Sequence, residues 1–322
     1  MQENKTDEVA GAGEIVTLTI NNDIAFITIN RPKAMNALNE ETIAQLSDRF
    51  SEAEADVSVK GIALQGAGKA FVAGADIGFF IKNIKNNRID DTAEFTQKGH
   101  DLLLRIENSS KPTIAVLDGL SLGGGSELAL ACQSIVATPA GCLGFPETSI
   151  GIFPGLGGMI RSARQIGTEL AKYYVFTGKI IKAQDGYDLG IIHKLVEPQE
   201  LEKAIQDICS EKRIDKYRIR KIPERFQGLI QLCSSSNVEL LLSGKKPSDV
   251  PDDLAEKTIK IIAQKAPLAL KKANELIDAQ QRVTIPEAVK LELQELHYMF
   301  STEDALLGLS SVGKEPPQYK GR

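Results

Sequence analysis

The segment Pro112-Thr113-Ile114-Ala115-Val116-Leu117 constrains the fold more than any other. It is a nearly continuous apolar run of strand length. Such a strand belongs in a sheet covered on both faces, which requires crossover helices. Its surroundings agree. Glu14–Ile20 alternates apolar and polar residues, Asn21-Asn22-Asp23 reads as a turn, and residues 24–29 read as the returning strand. Arg31-Pro32 stops that strand, and Asn39 is placed to cap a helix from about Glu40 to Glu54. A strand over 61–66, a polar loop at 82–90, and a helix over 91–109 follow. A helix starting at the triple glycine (124–131) and a strand over 134–138 come after residue 117. Short strands alternating with helices indicate an α/β architecture. From about Gln184 the pattern turns mostly helical to residue 300. A loop or insertion near 211–250 carries the basic cluster Arg218–Lys221 and the break Gly244-Lys245-Lys246-Pro247. The expected organisation is a flexible tail over 1–13, a core over 14–200, and a helical region over 201–322 with an extended linker near 205–255.

Charge and composition narrow the function classes. The net charge of −5 speaks against a nucleic-acid partner, which usually meets a basic face. No apolar run nears the length of a membrane span. The acidic N-terminus resembles neither a secretory nor an organelle leader, so a cytoplasmic protein is expected. The four cysteines lack metal-site or disulfide-framework spacing, and Cys132 and Cys142 read as core thiols. His100, His193 and His297 stand outside any metal-ligand pattern, so no metal site is expected. Gly155-Leu156-Gly157-Gly158 resembles part of a dinucleotide loop but lacks the βαβ context, and no GxSxG serine motif occurs.

The chemistry concentrates at two glutamates. Glu127 follows Ser121-Leu122-Gly123-Gly124-Gly125-Ser126, and Glu147 lies in Phe145-Pro146-Glu147-Thr148, ahead of Ile150-Gly151-Ile152-Phe153-Pro154-Gly155. Glycine allows backbone N–H groups to approach a ligand closely. Carboxylates beside such donors can move protons while the donors hold an oxyanion. Each element also has a plainer reading. Residues 68–77 form a strand-to-helix turn capped by Asp76. The glycines permit close packing, Glu127 complements a helix dipole, and Glu147 is a solvated loop acid.

Taken together and in order, these segments resemble the crotonase superfamily, also called the enoyl-CoA hydratase/isomerase family. The matching pieces are Asn30–Leu38, Phe71–Ile77, Leu122–Leu128 and Pro146–Gly158, extended by Thr177-Gly178-Lys179, Ala183 and Leu189-Gly190. The stretch from Ile150 to Gly155 looks most like the hydratase half of multifunctional fatty-acid oxidation enzymes. The resemblance implies a spiral of ββα units with a helical C-terminal part, assembled as a homotrimer or homohexamer. It implies a coenzyme A thioester substrate and no separate cofactor. By position, Ala75 and Gly124 would supply the two N–H donors to the thioester oxygen. Glu127 and Glu147 would be the two catalytic acids. Ala73 would lie along the adenine end of coenzyme A and Lys69 near its phosphates, with Gly74, Asp76 and Ile77 also in contact. Arg31 and Lys33 have two readings, as further partners of the phosphates or as solvated surface charges.

The implied reaction is hydration of a 2-enoyl-CoA, or dehydration of a 3-hydroxyacyl-CoA. An enoyl-CoA delta isomerase using Glu147 alone is the nearest alternative. A thioester hydrolase and a non-catalytic or RNA-binding relative stand further away. The look-alikes fused to a 3-hydroxyacyl-CoA dehydrogenase suggest that enzyme as a partner. The chain departs from the family pattern at Gly78, where many hydratases carry lysine, in residues 308–314, and in its long linker.

Overall fold

The computed structural model describes residues 14–211, 215–217 and 221–322. The expected tail over 1–13 and residues 218–220 of the basic cluster lie outside the described residues. The chain begins with the hairpin β1 (Val16–Asn21) and β2 (Ile24–Ile29), turned by Asn22 and Asp23 at positive φ. Then come α1 (Glu40–Ala55), β3 (Gly61–Gly66), β4 (Ala70–Ala73), α2 (Ile77–Lys85), α3 (Ile89–Glu107), β5 (Thr113–Leu117), β6 (Leu120–Leu122) and α4 (Gly124–Ala131). Next are β7 (Ser134–Ala137), β8 (Cys142–Leu143), α5 (Gly158–Ile166), α6 (Thr168–Thr177), β9 (Ile181–Lys182), α7 (Ala183–Leu189) and β10 (Lys194–Leu195). The rest is helical: α8 (Leu201–Cys209), α9 (Gln227–Leu232), α10 (Val238–Leu242), α11 (Asp252–Ile262), α12 (Pro267–Gln280), α13 (Ile285–Phe300) and α14 (Glu303–Ser310).

Six strands form one sheet in the order β1-β2-β3-β5-β7-β10, with β1 antiparallel to β2 and the remaining pairs parallel. A second, smaller layer runs beside it. There β4 pairs with β6, and single bridges add Leu38 beside Ala75 and Gly144 beside Leu122. Successive units thus give one strand to each layer, which is the expected ββα spiral. Strand β5 is buried along its whole length, as its apolar run requires.

Local signals place the helices. The Asn39 side chain accepts from Thr42 N at 2.8 Å and starts α1. Asp76 accepts from Gly78 N at 3.0 Å and starts α2, so the capped turn read from residues 68–77 is present. Thr284 and Glu287 form a capping box at the start of α13. The expected loop at 82–90 is instead helix up to Lys85, and α3 begins at Ile89. Burial of Phe80 and Asn83 on one side of α2 outweighs the polar residues facing out. The insertion near 211–250 contains the short helices α9 and α10.

The change near residue 200 is one of secondary structure, not of packing. The main apolar cluster runs from Val16 through Phe71, Leu128 and Phe153 to Leu296, Phe300 and Leu309. Helices α13 and α14 therefore close over the ββα core. Among the described residues no helix is long and apolar enough to cross a membrane. Cys132 and Cys142 are buried core thiols.

Candidate active site

The second layer aims two backbone donors at one point. Asn36, at positive φ, donates its amide to Ala67 O (2.9 Å) and Ala70 O (2.8 Å), locking the loop after β2 onto β4. Leu38 then donates to Gly74 O at 3.0 Å and accepts from Asp76 N at 2.8 Å. These bonds straddle Ala75, so in a parallel ladder the Ala75 N–H points away from Leu38. Gly74 N is bonded to Leu122 O, and Gly123 N to Gly144 O, each at 2.8 Å. Gly124 follows as the first residue of α4, where a helix leaves its N–H without an internal acceptor. The N–H groups of Ala75 and Gly124 are thus left over by two adjacent strand ends.

Close packing holds this geometry. A Cβ on Gly125 would collide with the Val72 carbonyl oxygen, so α4 sits directly against β4. Gly123 has φ +50°, and a Cβ there would lie 2.7 Å from Glu147 Oε1.

Glu127, in the first turn of α4, is 2% exposed. Its Oε1 accepts from Leu156 N at 2.7 Å and Gly158 N at 2.9 Å, the N–H groups that open α5. No described residue donates to Oε2. Burial and the nearby Glu292 charge raise its pKa; the Gly158 and Leu156 bonds and Arg161 oppose them, leaving it at about 8. Glu147 sits in a 3-10 turn (Glu147–Ile150) and is 7% exposed, not a solvated loop acid. Its buried Oε2 has no partner among the described residues. Burial first, and the charge of Glu127 second, push its pKa well above the carboxylate range. The two acids differ in one respect that matters: Glu127 has two N–H groups to stabilise its anion and Glu147 Oε2 has none. The two N–H bonds favour the Glu127 anion, so Glu127 is the acid better placed to hold the negative charge.

A cavity of about 230 Å³ joins these groups. Ala73, Gly74, Ala75, Ile77, Gly124, Glu127 and Glu147 all line it. Its far end is apolar, closed by Phe80, Phe95 and Phe300, whose rings pack 5.2–6.0 Å apart around Phe80. Leu296 and Leu309 add to it from α13 and α14. Thr96 is the remaining polar side chain among the lining residues, and its hydroxyl donates to Thr92 O at 2.8 Å.

The other expected site residues lie outside this cavity. The Asp76 carboxylate is occupied in capping α2. The Arg31 guanidinium is part-buried and donates to Ala37 O, so it braces its own loop. Lys33 and Lys69 are exposed, on neighbouring turns: a Cβ on Gly68 would lie 3.1 Å from Pro32 Cβ.

Spacing alone could have exposed one further group. Glu292 interrupts the buried stripe of α13 between Ala288, Val289 and Leu296, and it is fully buried. An acid in register with an apolar helical face is a signal of a built polar contact. Behind α5, the buried Arg161 pairs with Glu107 at 2.8 Å, and Lys216 reaches the same carboxylate at 2.8 Å. Burial alone would raise the Glu107 pKa, but Arg161 and Lys216 hold it at about 2.

Comparison with known proteins gives a consistent answer. The family model described as enoyl-CoA hydratase/isomerase matches residues 24–319. The short-chain-enoyl-CoA hydratase of Clostridium acetobutylicum is 39% identical over 188 residues, covering 58% of this chain and 70% of that one. A probable enoyl-CoA hydratase of Bacillus subtilis is 30% identical over 307 residues, covering 95% and 98%. A solved carnitinyl-CoA dehydratase from Mycobacterium thermoresistibile superposes with a TM-score of 0.81 at 21% identity, covering 95% of this chain and 91% of that one, a likeness of fold. With a family match spanning nearly the whole chain and a full-length relative at this identity, the protein belongs to the enoyl-CoA hydratase/isomerase family.

Proposed function

We propose that the protein is an enoyl-CoA hydratase, adding water across the 2,3 double bond of a 2-enoyl-CoA. One observation carries this reading: two buried carboxylates, one accepting two N–H bonds and one with an unpartnered oxygen, share a cavity with the Ala75 and Gly124 N–H groups. The thioester oxygen lies between Ala75 N–H and Gly124 N–H, where charge accumulates as C3 is attacked. Each such donor contributes about 3 kcal/mol in comparable sites. Glu127, ionised, takes the proton of the attacking water on Oε2 while Oε1 stays fixed by α5. The C3–O bond forms, the π pair moves to the enolate, and Glu147 delivers its proton to C2. The following proton exchange returns both acids to their starting states. The reverse sequence dehydrates a 3-hydroxyacyl-CoA. Coenzyme A enters as part of the substrate, along the edge formed by Ala73, Gly74 and Ile77. Lys33 and Lys69, adjacent and exposed, are the cations available to its phosphates.

The 2-enoyl chain points into the Phe80–Phe95–Phe300 end. Among the described residues lining that end no free donor meets it, so a tail ending in a carboxylate would enter unpaired. Discrimination against such a tail is expected to exceed ~100-fold in kcat/KM relative to an apolar tail of equal length. Competition between the two substrates measures it, and equal rates would refute the apolar-tail assignment. A 3-hydroxyacyl-CoA dehydrogenase would consume the product, which suits it as a partner of a homotrimer or homohexamer.

The test is the ultraviolet absorbance of the conjugated enoyl group of crotonyl-CoA. The wild-type protein is expected to abolish it with formation of 3-hydroxybutyryl-CoA. Absence of that product, with conversion of a 3-enoyl-CoA instead, would establish an isomerase.

A further inference from the structure

We propose that Glu292, supported by His100, is a positioning residue for this reaction: it anchors the turn at 155–158 through the Gly157 N–H and thereby sets the Glu127 carboxylate. The inference rests on the hydratase reading, in which Glu127 is the base.

The backbone groups of this turn are divided between opposite sides. Leu156 N and Gly158 N donate to Glu127 Oε1 at 2.7 and 2.9 Å. Gly157 N, between them, donates to Glu292 Oε1 at 2.8 Å. Gly155 O accepts from His100 Nε2 at 3.0 Å, and Leu156 O from Arg161 Nη1 at 3.4 Å. His100 Nε2 also lies 3.2 Å from Glu292 Oε1. Both neighbours of Nε2 are acceptors, so that nitrogen carries the hydrogen. Gly157 has φ +85°, and a Cβ there would meet the Arg161 guanidinium, so the turn is built on glycine at this position. If Glu292 releases Gly157, the two N–H groups on either side lose their aim at Glu127.

Glu292 is fully buried and is not among the residues that line the cavity. Both its side chain and that of His100 are fully buried, between α3, α12 and α13. Gln280 Nε2 donates to Glu292 Oε2 at 3.1 Å from α12. The charged or titratable groups facing this turn are His100 and Glu107 on α3, Glu127 on α4, Glu147, Arg161 on α5, and Lys216 with Tyr217 behind Arg161. Two buried acids at one helix N-terminus share its dipole, but they also repel. The Glu292 charge is the second cause, after burial, of the raised proton affinity of Glu127.

Glu292→Gln separates anchoring from charge. Its amide oxygen still accepts from Gly157 N–H. Its NH2 is met by Gln280 Oε1 once that amide flips, which gives up the Gln280 Nε2 bond to Ala288 O. In Glu292→Gln, KM for crotonyl-CoA is expected to stay within about twofold, while the acidic limb of kcat/KM moves about one unit lower. Glu292→Ala removes the anchor. It is expected to lose ~100-fold in kcat and keep its affinity for butyryl-CoA, which reports binding without reaction. A packing role alone would lower the yield of folded enzyme and leave the pH limb of the remainder in place. A wild-type kcat in Glu292→Ala overturns the proposal, as does a kcat loss in Glu292→Gln as large as that in Glu292→Ala, because the amide keeps the Gly157 bond. If Glu292→Ala does not fold, Glu292→Asp, which keeps the charge but draws the acceptor back from Gly157 N–H, decides: a wild-type kcat there overturns the proposal. A wild-type enzyme that does not hydrate crotonyl-CoA would instead refute the hydratase reading itself.

Discussion

Glu127→Ala is expected to lower kcat for crotonyl-CoA hydration by ~10³-fold or more, while the affinity for butyryl-CoA changes little. The base contributes at the transition state and not to ground-state binding, so the loss falls on kcat. The thioester oxygen still finds Ala75 and Gly124 N–H, and the apolar end of the cavity is untouched. Glu147→Ala is expected to lose hydration to a similar extent and to lose any shift of the double bond, because the proton for C2 is gone. The double variant should be little worse than either single one, since the two acids act as one unit. Steady-state rates with the three variants, beside direct binding of butyryl-CoA, check this. Near-wild-type hydration by Glu127→Ala would remove Glu127 from the mechanism. An active isomerase lacking Glu147 would remove Glu147 as the proton donor.

The core of this site was legible because its chemistry is local in sequence. Gly123-Gly124-Gly125 and Glu127 fall within five residues, and the helix they start is fixed by the triple glycine. The Glu147 turn lies two short strands later. Strand β5 announced itself by burial on both faces, and α1 and α2 by Asn39 and Asp76. The shorter strands β4 and β6 were less visible. Over three or four residues neither shows a period, and their pairing depends on partners some fifty residues away. The charged residues of α2 suggested a loop because its buried side is narrow. For Arg31 the sequence gives the charge but not the backbone carbonyl of its own loop that Nη1 meets. Glu292 and the Phe300 wall come from a helix more than 130 residues downstream. Only the tertiary fold brings that helix to α5.

Removing the acids should make the protein more stable at alkaline pH. The folded-state pKa of Glu127 is about 8, above the ordinary carboxylate value, and that of Glu147 is also raised. The folded chain therefore holds protons that the unfolded chain has released. Stability from this source is fully present below about pH 4.5 and falls as pH rises through about 8. Glu107 acts in the opposite sense: with its pKa at about 2, its contribution is present above the unfolded value and lost as pH falls toward 2. The two effects together place the stability maximum on the acid side of neutrality. Glu127→Gln/Glu147→Gln abolishes the alkaline loss and leaves the acid one. The amide introduced by Glu127→Gln can still accept from Leu156 and Gly158 N–H, and the one introduced by Glu147→Gln takes the place of an atom that already lacks a partner. At pH 8 the Tm of this double variant is expected to exceed that of the wild type by ~5 °C, at equal protein concentration, and at pH 5 by much less. Thermal melts across this range measure the gap. A gap that does not widen with pH would mean that the two acids are not strained by burial, and that the catalytic pair carries no stability cost.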